Sequence, residues 1–595
     1  MIFEERPMPA DHSPATSPRA PLPSLLDRRH RLDTEWALWV SRPLGRHLDH
    51  CVELFGNEPF VINDDRTWTY EQLRDWSRRL AGGLVALGVQ PGEHVALVMA
   101  NYAEFVAVKF AIASIGAVCV PVNFLLRERE LSYVLQQSNS VTLITMDAFR
   151  DNDYVTMLDS LMPGWESGDT HDSYPSLRHV VVFSPSGRSR SLRSLADLEM
   201  LASNADTAQV KARNTAVEVS QNADILYTSG TTGTPKGVML THDMLVRTGY
   251  ASAFGRGLWR GHRSAFALPM YHVFGAIECL LAATFVGGAV APRTQFDPAD
   301  LLSCVARFGL DELAAVPTMT LGLLAEARRA RHDGHSYDLA NLRIVYSSGT
   351  VAPPTIHGEI RDLLGPDELV AGYGQTETTA AMTSNVQELG DEHLQTTSGR
   401  LRPAGVAGDA SLGGVLATYK TIDAETGADV ARGVRGELVV SGPAVTVGYF
   451  NKPDETAAAF TADGWLRTGD IGVVTGDGDV VLSGRLKETY RCGGEMVMPA
   501  EVELVIAECA GVTQVHVVGL PHERMGEVGC AVIVPSEHEL PNAADVMAHC
   551  TANLARFKVP VHVVFMQASE LPVTVTGRVQ KFRLAQLVVE RLAAP

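Results

Sequence analysis

The chain is short of positive charge. Its 50 lysines and arginines face 69 aspartates and glutamates, for a formal net charge of −19. A general nucleic-acid surface, which draws its affinity from basic side chains on phosphates, is therefore not expected. The eight cysteines show no C-x-x-C spacing. They read as reduced thiols in a cytoplasmic protein rather than as a disulfide framework or a zinc site. The first residues, MIFEERPMPA, lack the basic start and apolar core of a secretion signal. There is no long uninterrupted apolar run either. The longest, Phe105–Val122, is broken by Lys109 and diluted by glycine and alanine, so it reads as a buried helix running into a strand, not a membrane span. No internal repeat is evident.

What remains suits a soluble protein of several domains: 595 residues, 46% apolar and 20% charged. Residues 1–30 hold six prolines between Pro7 and Pro23 and are expected to form a disordered arm. Phe60–Ile62 and Thr67–Tyr70 flank a turn and read as a hairpin. Thr69 then opens a helix whose Leu73, Trp76, Leu80 and Leu84 share one buried face. Beyond it, candidate strands at His94–Met99, Val141–Thr145, His179–Phe183, Ile225–Thr228, Ser264–Leu268, Leu313–Val316, Ile344–Tyr346 and Leu369–Gly372 alternate with helical patterns. That alternation predicts layered, largely parallel α/β sheets. From about residue 410 glycine-rich short strands predict a β-rich subdomain reaching residue 484. Residues 485–487 read as a hinge, and 488–595 as a small mobile α/β C-terminal domain. The expectation is one large α/β domain over 31–484 with this small domain behind it.

Three stretches carry chemistry. Thr228, Ser229, Gly230, Thr231, Thr232, Gly233, Thr234, Pro235, Lys236 and Gly237 follow a strand. The glycines let the backbone approach a ligand, the hydroxyls supply donors and Lys236 a mobile cation, so strand, loop and helix together could hold phosphate oxygens. The Walker pattern is absent, because Gly237 rather than Ser or Thr follows Lys236. Gly372, Tyr373, Gly374, Gln375, Thr376 and Glu377 follow another strand; Tyr373 offers a flat face to a purine and Glu377 a hard oxygen to a divalent cation. Trp465–Asp470 reads as a turn into a strand, and Asp470 could accept from both hydroxyls of a ribose.

The first stretch resembles the phosphate loop of the adenylate-forming superfamily: acyl-CoA synthetases, adenylation domains and luciferases. The other two fall where that family places its adenine-and-magnesium motif and its ribose aspartate. The resemblance implies roles residue by residue. Tyr373 stacks on adenine, Thr376 contacts phosphate, Glu377 binds Mg2+, and Asp470 with Arg485 holds ribose. Lys487 is the pivot of the small domain. Gly349 and Thr350, in Ser347-Ser348-Gly349-Thr350, line the adenine site. Gly493 and Gly494 line a coenzyme A tunnel. His272 falls at the carboxylate pocket, where amino-acid-activating relatives carry an aspartate, which argues against an amino-acid substrate. Tyr271, Phe274, Val316 and Gly372 are expected to complete an apolar acyl or aryl pocket.

One departure stands out. The family's tail lysine, which steadies the carboxylate and α-phosphate, is Arg578 here, and a planar fork is not a compact ammonium. Arg578 does the work, or Lys581 substitutes, or adenylation is altered toward an unusual oxyanion. The expected catalytic set is Lys236, His272, Glu377 and Arg578. The implied reaction is ATP-dependent ligation of a carboxylic acid to coenzyme A through an acyl-adenylate. Transfer to a carrier protein, and a nucleotide-binding protein without turnover, stay open as alternatives, as does a homodimer.

Overall fold

The computed structural model describes residues 21–167, 171–187, 192–228, 234–349, 356–493, 495–536, 540–574 and 579–593. Two sheets form the large domain, and one contiguous apolar core joins them. The six-stranded sheet runs Lys236–Thr241, Asn222–Thr228, Val118–Pro121, His94–Val98, Ser140–Met146, His179–Phe183; only its first pair is antiparallel. The seven-stranded sheet runs Glu368–Val370, Ile344–Ser347, Glu312–Ala315, Arg263–Phe266, Ala289–Pro292, Pro59–Ile62, Thr67–Thr69, again parallel except at the terminal hairpin. Most strands end close to where the hydrophobic pattern puts them.

Local chemistry explains the main helices. Tyr70–Ala86 opens with a capping box, Thr69 and Gln72 each bonding the other's backbone N–H, and buries Leu73, Trp76, Leu80 and Leu84. Ala103–Ser114 is buried on every side, as a helix without an amphipathic period must be. Its one lysine, Lys109, is buried and donates to Asp224 on the strand Asn222–Thr228 at 2.5 Å. Burial alone would lower the Lys109 pKa, but Asp224 outweighs it and raises it. Replacing Lys109 with methionine keeps the apolar stem and strands a buried carboxylate. The expected loss is about 3–5 kcal/mol of stability, read as a lower urea midpoint at unchanged slope.

Residues 418–485 form the expected β-rich layer, the four-stranded antiparallel sheet Thr418–Ile422, Gly436–Ser441, Leu466–Val474, Val480–Arg485. After the short 3₁₀ turn Leu486–Glu488 comes the small domain, with its own sheet and two apolar clusters. The ion pair Arg435–Glu501 (2.6 Å) joins it to the large domain.

Two expectations are corrected. Part of the proline-rich arm is ordered: Leu25–Glu35 is a helix, capped by Ser24, that starts two residues after the last proline. Its Arg28 is buried, donating to the Gly257 carbonyl and pairing with Glu368. Asp33 accepts from Tyr250 and from the Val406 N–H. Residues 1–20 lie outside the described residues. Second, the segment after the threonine-rich loop is not a helix start. Lys236–Thr241 is a strand antiparallel to Asn222–Thr228, and the helix His242–Arg256 begins only after it. Val238 and Leu240 are buried against the sheet, and Gly237 faces Ile225 and Tyr227 so closely that a Cβ there would collide. The loop therefore joins two antiparallel strands, and the next helix in the chain starts only at His242.

Candidate active site

Three stretches far apart in sequence meet where the large sheets face the β-rich layer. Thr228 and Lys236 are opposed residues at the loop end of the hairpin. Ser229, Gly230, Thr231, Thr232 and Gly233 between them lie outside the described residues. The segment Gly448–Phe450 pairs onto the outer strand of that hairpin: Met239 N–H donates to the Gly448 carbonyl (3.1 Å) and Phe450 N–H to that of Gly237 (2.8 Å). This seats Tyr449 beside Lys236, whose Nζ lies 4.8 Å from the ring centroid. The Tyr449 hydroxyl donates to Glu377 Oε1 at 3.1 Å. One tyrosine thus touches both the loop cation and the candidate metal carboxylate.

Gly372–Glu377 forms one arm of a tight hairpin. Backbone atoms of 380–383 lie so close to Gly372 and Gly374 that a Cβ at either would overlap the carbonyl of Thr383 or Ala380. Glycine is required there by close approach. The turn contains Thr379 at φ 66°, a rare conformation for a β-branched residue, held by a 2.6 Å hydrogen bond from its hydroxyl to the Ala444 carbonyl. Such strain at a ligand loop is stored where position matters. Tyr373 is buried, and its hydroxyl donates to Asp470 Oδ2 at 2.6 Å. Arg485, opposite Asp470 on the neighbouring strand, donates to Oδ1 at 2.7 Å. Tyr373 therefore ties the expected adenine hairpin to the expected ribose carboxylate. Thr376 is buried in the 3₁₀ turn Thr376–Thr378. Gln375 Nε2 is a buried amide donor with no partner among the described residues, a group suited to an incoming acceptor.

Glu377 is half-buried. Desolvation raises its pKa above the ordinary 4.5, while Tyr449 and Arg485 pull the other way. Among the described residues no three His, Cys, Asp or Glu side chains cluster to form a metal cage. A single carboxylate of this kind would fit a magnesium ion whose other ligands are phosphate oxygens and water.

The other wall begins at Leu268–Met270. Buried Asn101 fixes this turn by donating to the Leu268 carbonyl (2.8 Å) and accepting from Met270 N–H (2.8 Å). His272 follows. Its Nδ1 accepts from the Phe274 N–H at 3.3 Å, which places the ring proton on Nε2. Burial lowers its pKa to about 4, so at neutral pH it is a neutral donor rather than a cation. Phe274 opens a π-helix, Phe274–Leu281, and its ring lies 4.8 Å from that of Tyr346. Tyr271 packs edge-on to Phe124. Val316 touches the space a Cβ on Gly349 would fill, and Gly349 has φ 104°. Ser348 donates to the Gly372 carbonyl at 2.6 Å, joining the Ser347–Gly349 turn to the hairpin.

The structure thus brings Thr228, Lys236, Gly349, Gly372, Tyr373, Gly374, Gln375, Thr376, Glu377, Asp470 and Arg485 into one connected set of contacts, with His272, Phe274 and Val316 flanking it. Lys487 lies in the 3₁₀ turn Leu486–Glu488, and Gly493 (φ 62°) packs against Met525 in the small domain. Thr350, Gly494 and Arg578 lie outside the described residues. Lys581 does not stand free to replace Arg578: it pairs with Glu503 (2.6 Å) and Glu488 (3.6 Å) within the small domain. Sequence reasoning missed Tyr449, Asn101 and the π-helix. Tyr449 alone had a local signal, an aromatic pair between Gly448 and the Asn-Lys-Pro turn.

The chain resembles known proteins over nearly its whole length. The family model described as "AMP-binding enzyme" matches residues 48–450, and that described as "AMP-binding enzyme C-terminal domain" matches residues 501–578. A putative acyl-CoA synthetase of Bacillus subtilis, YngI, is 32% identical over 557 residues, covering 93% of this chain and 98% of that protein. A 3-[(3aS,4S,7aS)-7a-methyl-1,5-dioxo-octahydro-1H-inden-4-yl]propanoyl:CoA ligase of Mycobacterium tuberculosis is 32% identical over 541 residues, covering 91% and 98%. The crystal structure of ATP-bound MatB from Rhodopseudomonas palustris superposes with a TM-score of 0.76 at 27% identity, over 91% of this chain and 98% of that one.

Proposed function

The chain belongs to the AMP-binding enzyme family and is an AMP-forming acid–CoA ligase, and from that premise we propose how its residues divide the work and which acid it takes. The observation that carries the reading is the unbroken line of contacts from Lys236 through Tyr449 to Glu377, with Asp470, Arg485 and Tyr373 closing the nucleotide side. In the first step an oxygen of the acid carboxylate attacks the α-phosphorus of ATP. The bond to the bridging oxygen breaks, and pyrophosphate leaves. Both reactants are anions, so the site's task is positioning and charge neutralisation. Lys236 and the hydroxyl-rich loop face the phosphates; Asp470 and Arg485 hold the ribose. Tyr373 flanks the adenine, with Gly349 and Thr350 lining its slot. His272 donates from Nε2 to the carboxylate, and Glu377 would hold Mg2+, which supplies charge neutralisation on the phosphates. In the second step the small domain turns about Lys487, Gly493 and Gly494 come to line the thiol channel, and coenzyme A sulfur displaces AMP from the acyl carbon.

A neutral His272 among Tyr271, Phe274 and Val316 offers no counter-charge for an α-amine. The proposed substrate is therefore a plain aliphatic or aryl acid. No described helix is long and apolar enough to cross a membrane, and all eight cysteines are free thiols; the cytoplasm is the proposed compartment. The reading is tested by pyrophosphate release across a panel of such acids, followed by mass detection of the thioester. Release with no CoA thioester would move the acceptor to a carrier protein. Nucleotide binding with no release for any acid would leave only a binding protein.

The pH profile gives a second check. Glu377 must be ionised to hold a metal, and its pKa stands above 4.5. The acid limb of kcat/KM for ATP should therefore lie above the ordinary glutamate range. Tyr449→Phe removes a hydrogen bond that stabilises the carboxylate, so it should move that limb further toward neutrality. An unmoved limb would separate Tyr449 from Glu377.

A further inference from the structure

Behind the two walls lies a buried group of charges that the catalytic scheme does not use. Glu278 and Glu312 face Arg256 and Arg402, and all four side chains are almost fully enclosed. Glu278 is the hub. Both its carboxylate oxygens accept from Arg402 Nη1, at 2.8 and 3.0 Å. Oε1 also accepts from the Ala381 N–H at 3.0 Å, and Oε2 from Tyr346 at 3.2 Å. Ser252 donates to Oε2 as well. Arg256 donates to the Glu278 backbone carbonyl, pairs with Glu312 and lies over the Tyr346 ring, 5.0 Å from its centroid.

The elements that converge on this carboxylate are those that build the site. Glu278 itself sits in the π-helix that carries Phe274. Ala381 lies in the returning arm of the hairpin bearing Tyr373 and Glu377, bridged to Gly374. Tyr346 lies in the strand Ile344–Ser347 that leads into Ser348 and Gly349. Arg402 anchors the same hairpin through its own N–H, which donates to the Met382 carbonyl at 2.8 Å. A cluster of this kind is a poor device for stability, since well-packed apolar residues commonly serve as well or better. It is a good device for fixing one arrangement, because each bond has a set length and direction. A π-helix is likewise rare and tends to occur at functional sites. Burial alone would raise the Glu278 pKa, but Arg402 and Arg256 bring it below the usual glutamate value, so the hub stays ionised.

We propose that Glu278 is a positioning residue that locks the wall of the acid pocket to the nucleotide hairpin, so that carboxylate and α-phosphorus meet in register. The proposal rests on the ligase reading above. Its discriminating variant is Glu278→Asp, which keeps the charge for Arg402 but draws the oxygens back by one methylene from Ala381 and Tyr346. Expected are a kcat for pyrophosphate exchange at least 10-fold lower, KM raised for both ATP and the acid, and a melting temperature within a few degrees of the parent. Binding of α,β-methylene-ATP, followed by calorimetry, should weaken at least 10-fold. That readout needs no turnover, so it stands even if no acid is ever found and the ligase reading fails. A variant that melts earlier but binds and turns over normally would reduce the cluster to a structural one and overturn the proposal. So would unchanged kinetics and binding. Should Glu278→Asp fail to fold, Tyr346→Phe decides. It removes one hydroxyl from the hub and is expected to raise both KM values about threefold at unchanged melting temperature, and parental KM values would overturn the proposal.

Discussion

Replacing Lys236 with alanine is expected to slow acid-dependent pyrophosphate exchange by about 10²–10³, equivalent to about 2.7–4 kcal/mol of transition-state stabilisation. Negative charge builds on the phosphates as the acid attacks, and in the proposed mechanism the cation that meets it is Lys236, at the loop end of the hairpin Asn222–Thr228/Lys236–Thr241. Its contact in the free protein is with the Tyr449 ring. A cation–π contact of that kind contributes about 0.5–1 kcal/mol at exposed sites. The loss of stability should thus be several-fold smaller than the loss of catalysis. Melting temperature and exchange rate, measured on the same preparation, separate the two. Lys236→Arg should recover only part of the rate, because the fork's charge is spread over a plane and Tyr449 leaves it little room to turn.

The second large effect concerns Arg578. Truncation to alanine should lower adenylate formation by about 10²–10³, on the same reasoning as for any single donor aimed at the reacting oxyanion. Thioester formation from a chemically prepared acyl-adenylate should be nearly spared, because in the proposed mechanism the small domain turns before that step. Lys581 cannot mask the loss, being paired with Glu503 and Glu488. Arg578→Lys is expected to retain or exceed parental exchange with small acids. If it were instead inactive, the arginine would be reading its substrate as a two-pronged donor, and an oxyanion of unusual shape would become the better candidate.

Much of this molecule could be read from short windows of sequence. The strand His179–Phe183 and the helix opened by Thr69 appear at the expected residues, because one is a short apolar run and the other pairs a cap with one buried face. The nucleotide residues sit in contiguous motifs, where residue type and order already carry the chemistry. The failures have physical causes too. The glycine-rich loop was expected to lead into a helix, but the strand Lys236–Thr241 comes first, with Val238 and Leu240 buried against the sheet. The arm's prolines end at Pro23, and Ser24 with Asp27 is a helix cap that composition concealed. The hub could not be found this way at all. Arg256, Glu278, Glu312 and Arg402 are spread over nearly a quarter of the chain, and each alone looks like a solvated charge. Only the fold brings them together around Glu278, which sits inside the otherwise apolar segment Phe274–Leu281.

The most direct measurement uses an acid labelled with ¹⁸O in its carboxylate, incubated with the enzyme, ATP, magnesium and coenzyme A. One labelled oxygen should appear in AMP for each thioester made, with pyrophosphate free of label. Label in inorganic phosphate, with ADP as the nucleotide product, would contradict attack at the α-phosphorus and with it the roles assigned to Lys236, Glu377 and Asp470.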